Sequence, residues 1–189
     1  MSQWDRNVFD WINHWPESYS GLFLFFSEAI KSPIVRLVLL ALILGLVWAG
    51  GKWRRAALLS LVAWPLANGT TDVLKYAFQG IRPSVNYPDA IVRVHHLTSY
   101  GTASAHAANM AAIAFVFTAC LGWWGSPWIV VALLTGLARI YVGVHYPSQV
   151  LLGWVVGTFC GLLVVNTWEA YSRRRSKPAV ETVDAESRA

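Results

Sequence analysis

Charged side chains and cysteines are both scarce in this sequence of 189 residues. Asp, Glu, Lys and Arg make up 13% of the chain and hydrophobic residues 56%, whereas an ordinary soluble domain carries about 25% charged residues. The two cysteines, Cys120 and Cys160, lie inside apolar runs. We therefore interpret each as a small buried hydrophobic residue, with no bearing on redox chemistry. The shortage of charge predicts a protein whose main solvent is lipid.

Long apolar runs predict an all-α, integral membrane helical bundle. Each of five runs approaches the roughly 20 residues that a spanning helix needs, and they cover residues 33–49, 53–79, 104–122, 127–142 and 147–170. A sixth run, 19–30, is short, so that it either spans with a tilt or lies in the interface. We therefore expect five to six transmembrane helices within one domain over residues 1–175, with the bundle at 33–170.

The N-terminal segment, residues 1–16, has a different pattern. Its apolar residues recur at helical spacing, at Trp4, Val8, Trp11, Ile12 and Trp15. Such a pattern predicts an amphipathic helix that lies on the membrane surface.

Two basic clusters orient the predicted bundle. One lies at residues 52–55 and the other at 173–177, and basic residues beside spanning helices favour the cytoplasmic side. The loop 80–103 and the turn near 143–147 would then face the periplasm or the exterior of the plasma (inner) membrane. We assign the net charge of +5 to this topology and expect no nucleic-acid partner. The polar segment 176–189 is expected to be a disordered cytoplasmic tail.

Ionisable groups at membrane depth are functional candidates, and the first group is Lys75 with Arg82. The two cations are seven residues apart, so they would share one face of a continuous helix that ends at Pro83. Two such cations suit a phosphate. Each alone would also fit a side chain reaching to the interface, and Asp72 is placed to pair with Lys75.

Two further groups are predicted to lie at the same membrane face. Ser104 is placed to cap a helix whose first N–H groups, at Ala105, His106 and Ala107, then form an anion site. Pro147 fits the first position of the last helix, with His145 just before it. The remaining members are Gln149, one turn beyond His145 and within reach of its ring, and Arg139 at the end of the preceding span. Together the three groups predict one shared phosphate site.

These stretches resemble the three signature motifs of the type 2 phosphatidic acid phosphatase superfamily, which are integral-membrane lipid phosphatases. The first motif, Lys, six residues, Arg-Pro, is complete from Lys75 to Pro83. The second, Pro-Ser-Gly-His, reads Ala-Ser-Ala-His over residues 103–106. The third is Ser-Arg, five residues, His, three residues, Asp; Arg139 and His145 match it, whereas its first and last positions hold Ala138 and Gln149. The resemblance covers about residues 33–170.

The resemblance implies a phosphatase that uses neither metal nor cofactor. By the same mapping, His145 is the nucleophile that forms a phosphohistidine, and His106 protonates the leaving oxygen. The phosphoryl oxygens would be held by Lys75, Arg82, Ser104, Arg139 and the backbone near Ala105. Phosphoryl transfer depends mainly on positioning and charge neutralisation, which agrees with the residues present.

Gln149 departs from the family pattern. The family's aspartate accepts a hydrogen bond from the nucleophile's other ring nitrogen and stabilises positive charge. A glutamine carbonyl accepts the same bond without a charge, and its NH₂ group can favour the wrong tautomer. Three outcomes stay open: slower turnover, compensation by another carboxylate such as Asp72 or Asp89, or a catalytically inactive protein that binds phospholipid headgroups. A transporter-like bundle is less consistent with the sequence, which has no paired repeats.

The expected substrate is a lipid phosphate or pyrophosphate in the membrane. Undecaprenyl pyrophosphate is the first choice, with phosphatidylglycerophosphate, phosphatidate and lipid A phosphates as alternatives. The loop 84–102 is expected to shape headgroup entry. Its adjacent His95 and His96 suggest a metal, but solvated loop histidines fit better because no cysteine or carboxylate pattern completes a site.

Overall fold

The structure is a computed structural model that describes residues 2–95, 97 and 99–176, and within these the chain is helical without a strand. The α-helices are α1 Gln3–Asn13, α2 Ser20–Glu28, α3 Pro33–Ala49, α4 Gly51–Phe78, α5 Pro83–Asn86, α6 Ala105–Leu121, α7 Pro127–Tyr141 and α8 Pro147–Ser176. Of the predicted disordered tail, 176–189, Ser176 ends α8 and the other residues lie outside the described ones. His96 lies outside them too.

Local sequence explains most of the helix boundaries. Proline occupies the first turn of α3, α5 and α7 and begins α8, where its missing N–H costs nothing. The break between α3 and α4 falls at Gly50, which has a φ of 74°. Glycine suits this position because a residue with a side chain seldom adopts that conformation. The predicted division of 33–49 from 53–79 is thereby confirmed to within a few residues.

The number of membrane-compatible helices is lower than expected. Ala105–Gly125 and Pro147–Arg175 are each long and apolar enough to cross a membrane, and Glu17–Lys31 with Pro33–Ala49 would add a third only as one span bent by 73°. Helix α7 is apolar but has only 15 residues. The five to six spans predicted from the sequence are therefore not confirmed by helix length and composition in the described residues.

Close contact between α6 and α8 forms the centre of the bundle. A Cβ atom at Gly157 of α8 would lie 2.0 Å from the carbonyl oxygen of Ala108 in α6, and one at Gly153 would lie 2.6 Å from that of Ser104. Glycine at these positions lets the two backbones approach closely, as small residues do in membrane helix pairs. The start of α6 is thus held beside the first turn of α8, and the N–H of Ser104 donates to the carbonyl oxygen of Gln149 at 2.9 Å.

Helix α1 is present where the sequence predicts a helix, and its polar residues Asp5 and Asn13 pack against the rest of the protein. Asp5 and Asn13 are buried in contact with the rest of the protein, while Trp4 and Trp11 are 52% and 67% exposed. Of the expected apolar face, Ile12 is buried. The polar residues are tolerated inside because hydrogen bonds satisfy them. The predicted place of α1 on the membrane surface stays a prediction.

Candidate active site

Arg82 reaches the site by a route that the sequence analysis did not foresee. Helix α4 ends at Phe78, and Gln79 adopts a left-handed conformation with a φ of 47°, a common way for a helix to end. Arg82 then lies in an extended segment before α5. The expectation that Lys75 and Arg82 share one helix face is therefore wrong.

The guanidinium of Arg82 is buried and fully hydrogen-bonded. Its Nε donates to the carbonyl oxygen of Ser99, and its Nη2 donates to Ser99 Oγ and to the carbonyl oxygen of Tyr100. Its Nη1 donates to the carbonyl oxygen of Val144 at 3.0 Å and to Nε2 of His145 at 2.9 Å. These five bonds use every N–H of the side chain. Burial and the charge of Arg139 lower the pKa of Arg82 to about 10, so that it stays a cation at neutral pH.

Gly101 makes room for this arrangement. A Cβ atom there would lie 2.7 Å from Cγ of Arg82 and 3.1 Å from Oε1 of Gln149, closer than two such atoms normally approach. The loop before α6 therefore contacts both Arg82 and Gln149 through a residue without a side chain.

The tautomer of His145 follows from the partners of Gln149. The Nε2 of Gln149 donates to the carbonyl oxygen of Ile81 at 2.9 Å, and its Oε1 accepts from the N–H of Tyr146 at 3.2 Å. The amide oxygen must then face Nδ1 of His145, which lies 3.0 Å away. Because an amide oxygen only accepts, Nδ1 of His145 carries the proton, and Nε2 keeps the lone pair that accepts from Arg82.

The imidazole of His145 is also kept neutral. The side chain is buried, and this burial lowers the pKa of His145 well below its ordinary value, with smaller contributions from the charges of Arg82, Arg139 and His106. The expected contact between His145 and Gln149 is confirmed. A neutral imidazole with a free Nε2 lone pair has the form that a nucleophile needs.

The start of α6 supplies two of the three expected backbone donors, because the N–H of Ala107 is used by the helix cap. Ser104 is fully buried and caps the helix, and its Oγ accepts from the N–H of Ala107 at 3.4 Å. Within the described part of the chain, the N–H groups of Ala105 and His106 have no acceptor. Such free N–H groups at a helix N-terminus favour an anion.

Arg139 is held by residues that the sequence analysis missed. It is buried in the last turn of α7, and its Nη1 donates to Oγ of Ser27 at 2.5 Å and to Oε1 of Glu28 at 3.4 Å. Glu28 also pairs with Lys31, while Nε of Arg139 is buried without an acceptor in the described residues. In the sequence, the feature that could have indicated this contact is Glu28, an acidic residue inside the apolar run 19–30.

Lys75 forms the ion pair that its spacing suggested. Its Nζ lies 2.8 Å from Oδ1 of Asp72, whose other oxygen accepts from Asn68. Among the described residues, neither Asp72 nor Asp89 contacts His145, so neither takes the place of the family's aspartate. His95 belongs to no group of three or more His, Cys, Asp or Glu side chains that could hold a metal in the described part of the chain.

The fold and this site together define a class: a helical membrane protein with a buried imidazole held between a guanidinium and a side-chain amide. The chain belongs to the PAP2 superfamily, whose family model matches residues 56–173. It is 26% identical over 153 residues to an undecaprenyl-diphosphatase of Sulfolobus acidocaldarius, a match that covers 78% of this chain and 69% of that protein. It is 25% identical over 174 residues to the bacitracin transport permease protein BcrC of Bacillus licheniformis, with 88% and 82% covered.

Two solved structures have the same fold. The crystal structure of Aquifex aeolicus LpxE superposes with a TM-score of 0.71 at 23% identity, over 85% of this chain and 93% of that one. The phosphatidylglycerolphosphate phosphatase of PAP2 type from Bacillus subtilis gives a TM-score of 0.68 at 23% identity, over 88% and 85%. At this level of identity, the likeness concerns the architecture alone.

Proposed function

We propose that this lipid phosphatase of the PAP2 family hydrolyses an isoprenyl pyrophosphate, with undecaprenyl pyrophosphate as first choice, through a phosphohistidine at His145. The observation that carries the proposal is the pair of contacts on the buried imidazole. Gln149 accepts from its Nδ1 and Arg82 donates to its Nε2, so that a cation lies beside the reactive lone pair.

The first chemical step would place the phosphoryl group between Arg82 and His145. The N–H of Arg82 that now donates to Nε2 would donate to a phosphoryl oxygen, which frees the lone pair. Nε2 then forms a bond to phosphorus as the bond to the lipid-side oxygen breaks, and His106 gives that oxygen its proton. Lys75, Arg139, Ser104 and the N–H of Ala105 supply the remaining positive charge and donors for the phosphoryl oxygens.

The second step would return the enzyme to its starting state. A water attacks phosphorus while the neutral His106 accepts its proton, and the bond from phosphorus to Nε2 breaks. Inorganic phosphate leaves with the added oxygen, and the electron pair returns to Nε2 of His145. Gln149 accepts a hydrogen bond from Nδ1–H of His145 throughout. It thereby orients the ring as the family's aspartate would, but without a negative charge.

The choice of a pyrophosphate is supported by the undecaprenyl-diphosphatase relative and by its match over most of both chains. The outward orientation of the site also belongs to the proposal. Arg55, near the start of α4, pairs with Glu169, near the end of α8, at 3.1 Å. Both predicted cytoplasmic clusters therefore lie at one end of the bundle, which supports a site that opens at the opposite membrane face.

The test is phosphate release by purified protein in detergent from undecaprenyl pyrophosphate, phosphatidylglycerophosphate, phosphatidate and a lipid A phosphate. We expect release from the pyrophosphate to be fastest and to disappear in His145→Ala. If the wild type and Gln149→Asp are inactive on every lipid, the enzymatic proposal is wrong. If Gln149→Asp alone is active, the natural chain is a headgroup-binding protein descended from a phosphatase.

A further inference from the structure

One face of α1 contacts the segment that carries His145. Asp5, Phe9 and Asn13 recur every four residues, which places them on the same side of the helix. They are 5%, 0% and 0% exposed. Each contacts a residue between positions 141 and 148, and the order along α1 is the reverse of the order along that segment.

Asp5 caps the start of α8. Its Oδ1 accepts from the N–H of Ser148 at 2.9 Å, and its Oδ2 accepts from Ser148 Oγ at 2.6 Å. An N–H in the first turn of a helix has no partner within that helix, and a carboxylate there is stabilising. Ser148 lies between His145 and Gln149 in the sequence, so the cap acts on the turn that joins those two residues.

The other two contacts hold the rest of the segment. The ring of Phe9 packs edge-to-face on Tyr146, with centroids 5.3 Å apart. Nδ2 of Asn13 donates to the carbonyl oxygens of Tyr141, at 2.8 Å, and Ile91, at 2.9 Å, and its Oδ1 accepts from the N–H of Ile91. The residues on both sides of His145 are therefore fixed to α1.

We propose that α1 is a positioning clamp for His145 and that Asp5 is a positioning residue of the phosphoryl-transfer reaction. The inference rests on the proposed function of His145. Burying a carboxylate is costly unless it is hydrogen-bonded. Both carboxylate oxygens of Asp5 accept hydrogen bonds from Ser148, in the turn that joins His145 to Gln149. Without that cap, the first turn of α8 frays and Nε2 of His145 shifts relative to Arg82. A displacement of about 1 Å is enough to lower a rate by about 10².

The experiment measures kcat and KM of the purified full chain in detergent, with the lipid phosphate that the wild type hydrolyses fastest. In Asp5→Ala we expect kcat to fall about tenfold or more and KM to stay within about twofold, because positioning acts on the reacting geometry. Asp5→Asn keeps an oxygen that accepts from Ser148, as asparagine does at helix caps, and is expected to recover most of the rate.

Asp10→Ala is the matched control. It removes the same charge from the same helix, but its carboxylate accepts from the hydroxyl of Tyr87 and forms no hydrogen bond with residues 145–149 in the described structure. We expect its kcat to stay within about twofold of the wild type. A loss in Asp10→Ala as large as that in Asp5→Ala would overturn the clamp, because it would show a general effect of α1 packing.

A second readout does not depend on activity. In protein labelled at the histidine ring nitrogens, the signals of His145 are those that disappear in His145→Ala. We expect one Nδ1–H tautomer in the wild type and a mixture in Asp5→Ala. If the signals of His145 are the same in both, the clamp is wrong. If the wild type releases no phosphate from any lipid, the proposed function fails, and the tautomer signals alone then decide whether Asp5 positions the ring.

Discussion

The side-chain amide of Gln149 donates to the carbonyl oxygen of Ile81 at 2.9 Å, while its oxygen faces Nδ1 of His145 at 3.0 Å. These two contacts fix the direction in which the amide points. A carboxylate has no N–H to donate to the carbonyl oxygen of Ile81, so the surroundings of this position favour glutamine. The departure from the family's aspartate is thus matched by a backbone acceptor that an amide satisfies.

Gln149→Glu is expected to impair the protein, although it restores a carboxylate beside His145. One carboxylate oxygen would meet the carbonyl oxygen of Ile81, and a buried acceptor without a donor costs about 1–3 kcal/mol. We expect a lower unfolding temperature in detergent and a kcat/KM reduced about tenfold. Gln3→Glu, at an exposed position of α1, makes the same chemical change and should alter neither. A more stable and faster Gln149→Glu would show that the bond to Ile81 is dispensable.

Arg82→Lys is expected to abolish most activity, although it keeps the charge. Lysine has three donors on one nitrogen and cannot reproduce the planar set that reaches Ser99, Tyr100 and His145. We expect kcat/KM for the preferred lipid to fall by about 10² or more, as for loss of a preorganised donor to a transition state. Arg36→Lys, at an exposed position of α3, is the control. An Arg82→Lys enzyme with near wild-type kcat/KM would contradict the role given to the guanidinium.

The pH dependence of kcat/KM should reflect the neutral state of His145. Its pKa is lowered from the ordinary 6.5 by burial and by the charges of Arg82 and Arg139. Only the neutral ring is nucleophilic, so protonation of His145 should reduce activity only below pH 6.5. The folded protein also binds fewer protons here than the unfolded chain, so the stability that depends on His145 decreases as the pH falls below 6.5.

Profiles of kcat/KM and of unfolding temperature between about pH 4 and 9 check this expectation, because kcat/KM reports the groups of the free enzyme. An acid limb centred at or above pH 6.5 that persists in His106→Ala would place the titration of His145 at its ordinary value. Such a result would contradict the buried, neutral imidazole.

A phosphoenzyme is expected during turnover. With a labelled pyrophosphate lipid and rapid quenching in base, the protein should carry label that is lost in acid, as expected for phosphate on a ring nitrogen. The label should be absent from His145→Ala. It should persist longer in His106→Ala, because that residue is proposed to activate the water. Active wild-type protein that never carries label under these conditions would favour direct attack by water and remove His145 from the nucleophile's role.

Contacts set by short sequence spacing were the parts of the site that the sequence could predict. Gln149 follows His145 by one helical turn, and Ser104 lies at a helix start, so the geometry of one helix decides each contact. Arg82 was different, because its partners Ser99 and Tyr100 are 17 and 18 residues away in a loop without periodicity. The left-handed Gln79 gave no warning, since glutamine rarely adopts that conformation.

Contacts between helices that are far apart in the sequence were also missed, because no local pattern links the two partners. Glu28 reaches Arg139 across 111 positions and Asp5 reaches Ser148 across 143. Nothing in either local pattern indicates the partner, because a hydrophobic period shows which face is apolar but not what packs on it. In α1 the period identified the apolar residues, but it did not show that Asp5 and Asn13 are buried and hydrogen-bonded within the protein.

Gly157→Ala tests whether the close approach of α6 and α8 holds the site together. Alanine normally favours a helix by about 0.5–1 kcal/mol over glycine, but a Cβ here would lie 2.0 Å from the carbonyl oxygen of Ala108. We therefore expect net destabilisation of about 1–3 kcal/mol from overpacking and a loss of kcat, since the displaced α8 carries Gln149 away from Ser104. The control is Gly45→Ala in α3, where a Cβ would have no atom within 4 Å, and there the unfolding temperature should stay level or rise. If Gly157→Ala matches Gly45→Ala in both stability and activity, the α6–α8 contact is loose, and the bond from Ser104 to Gln149 does not depend on it.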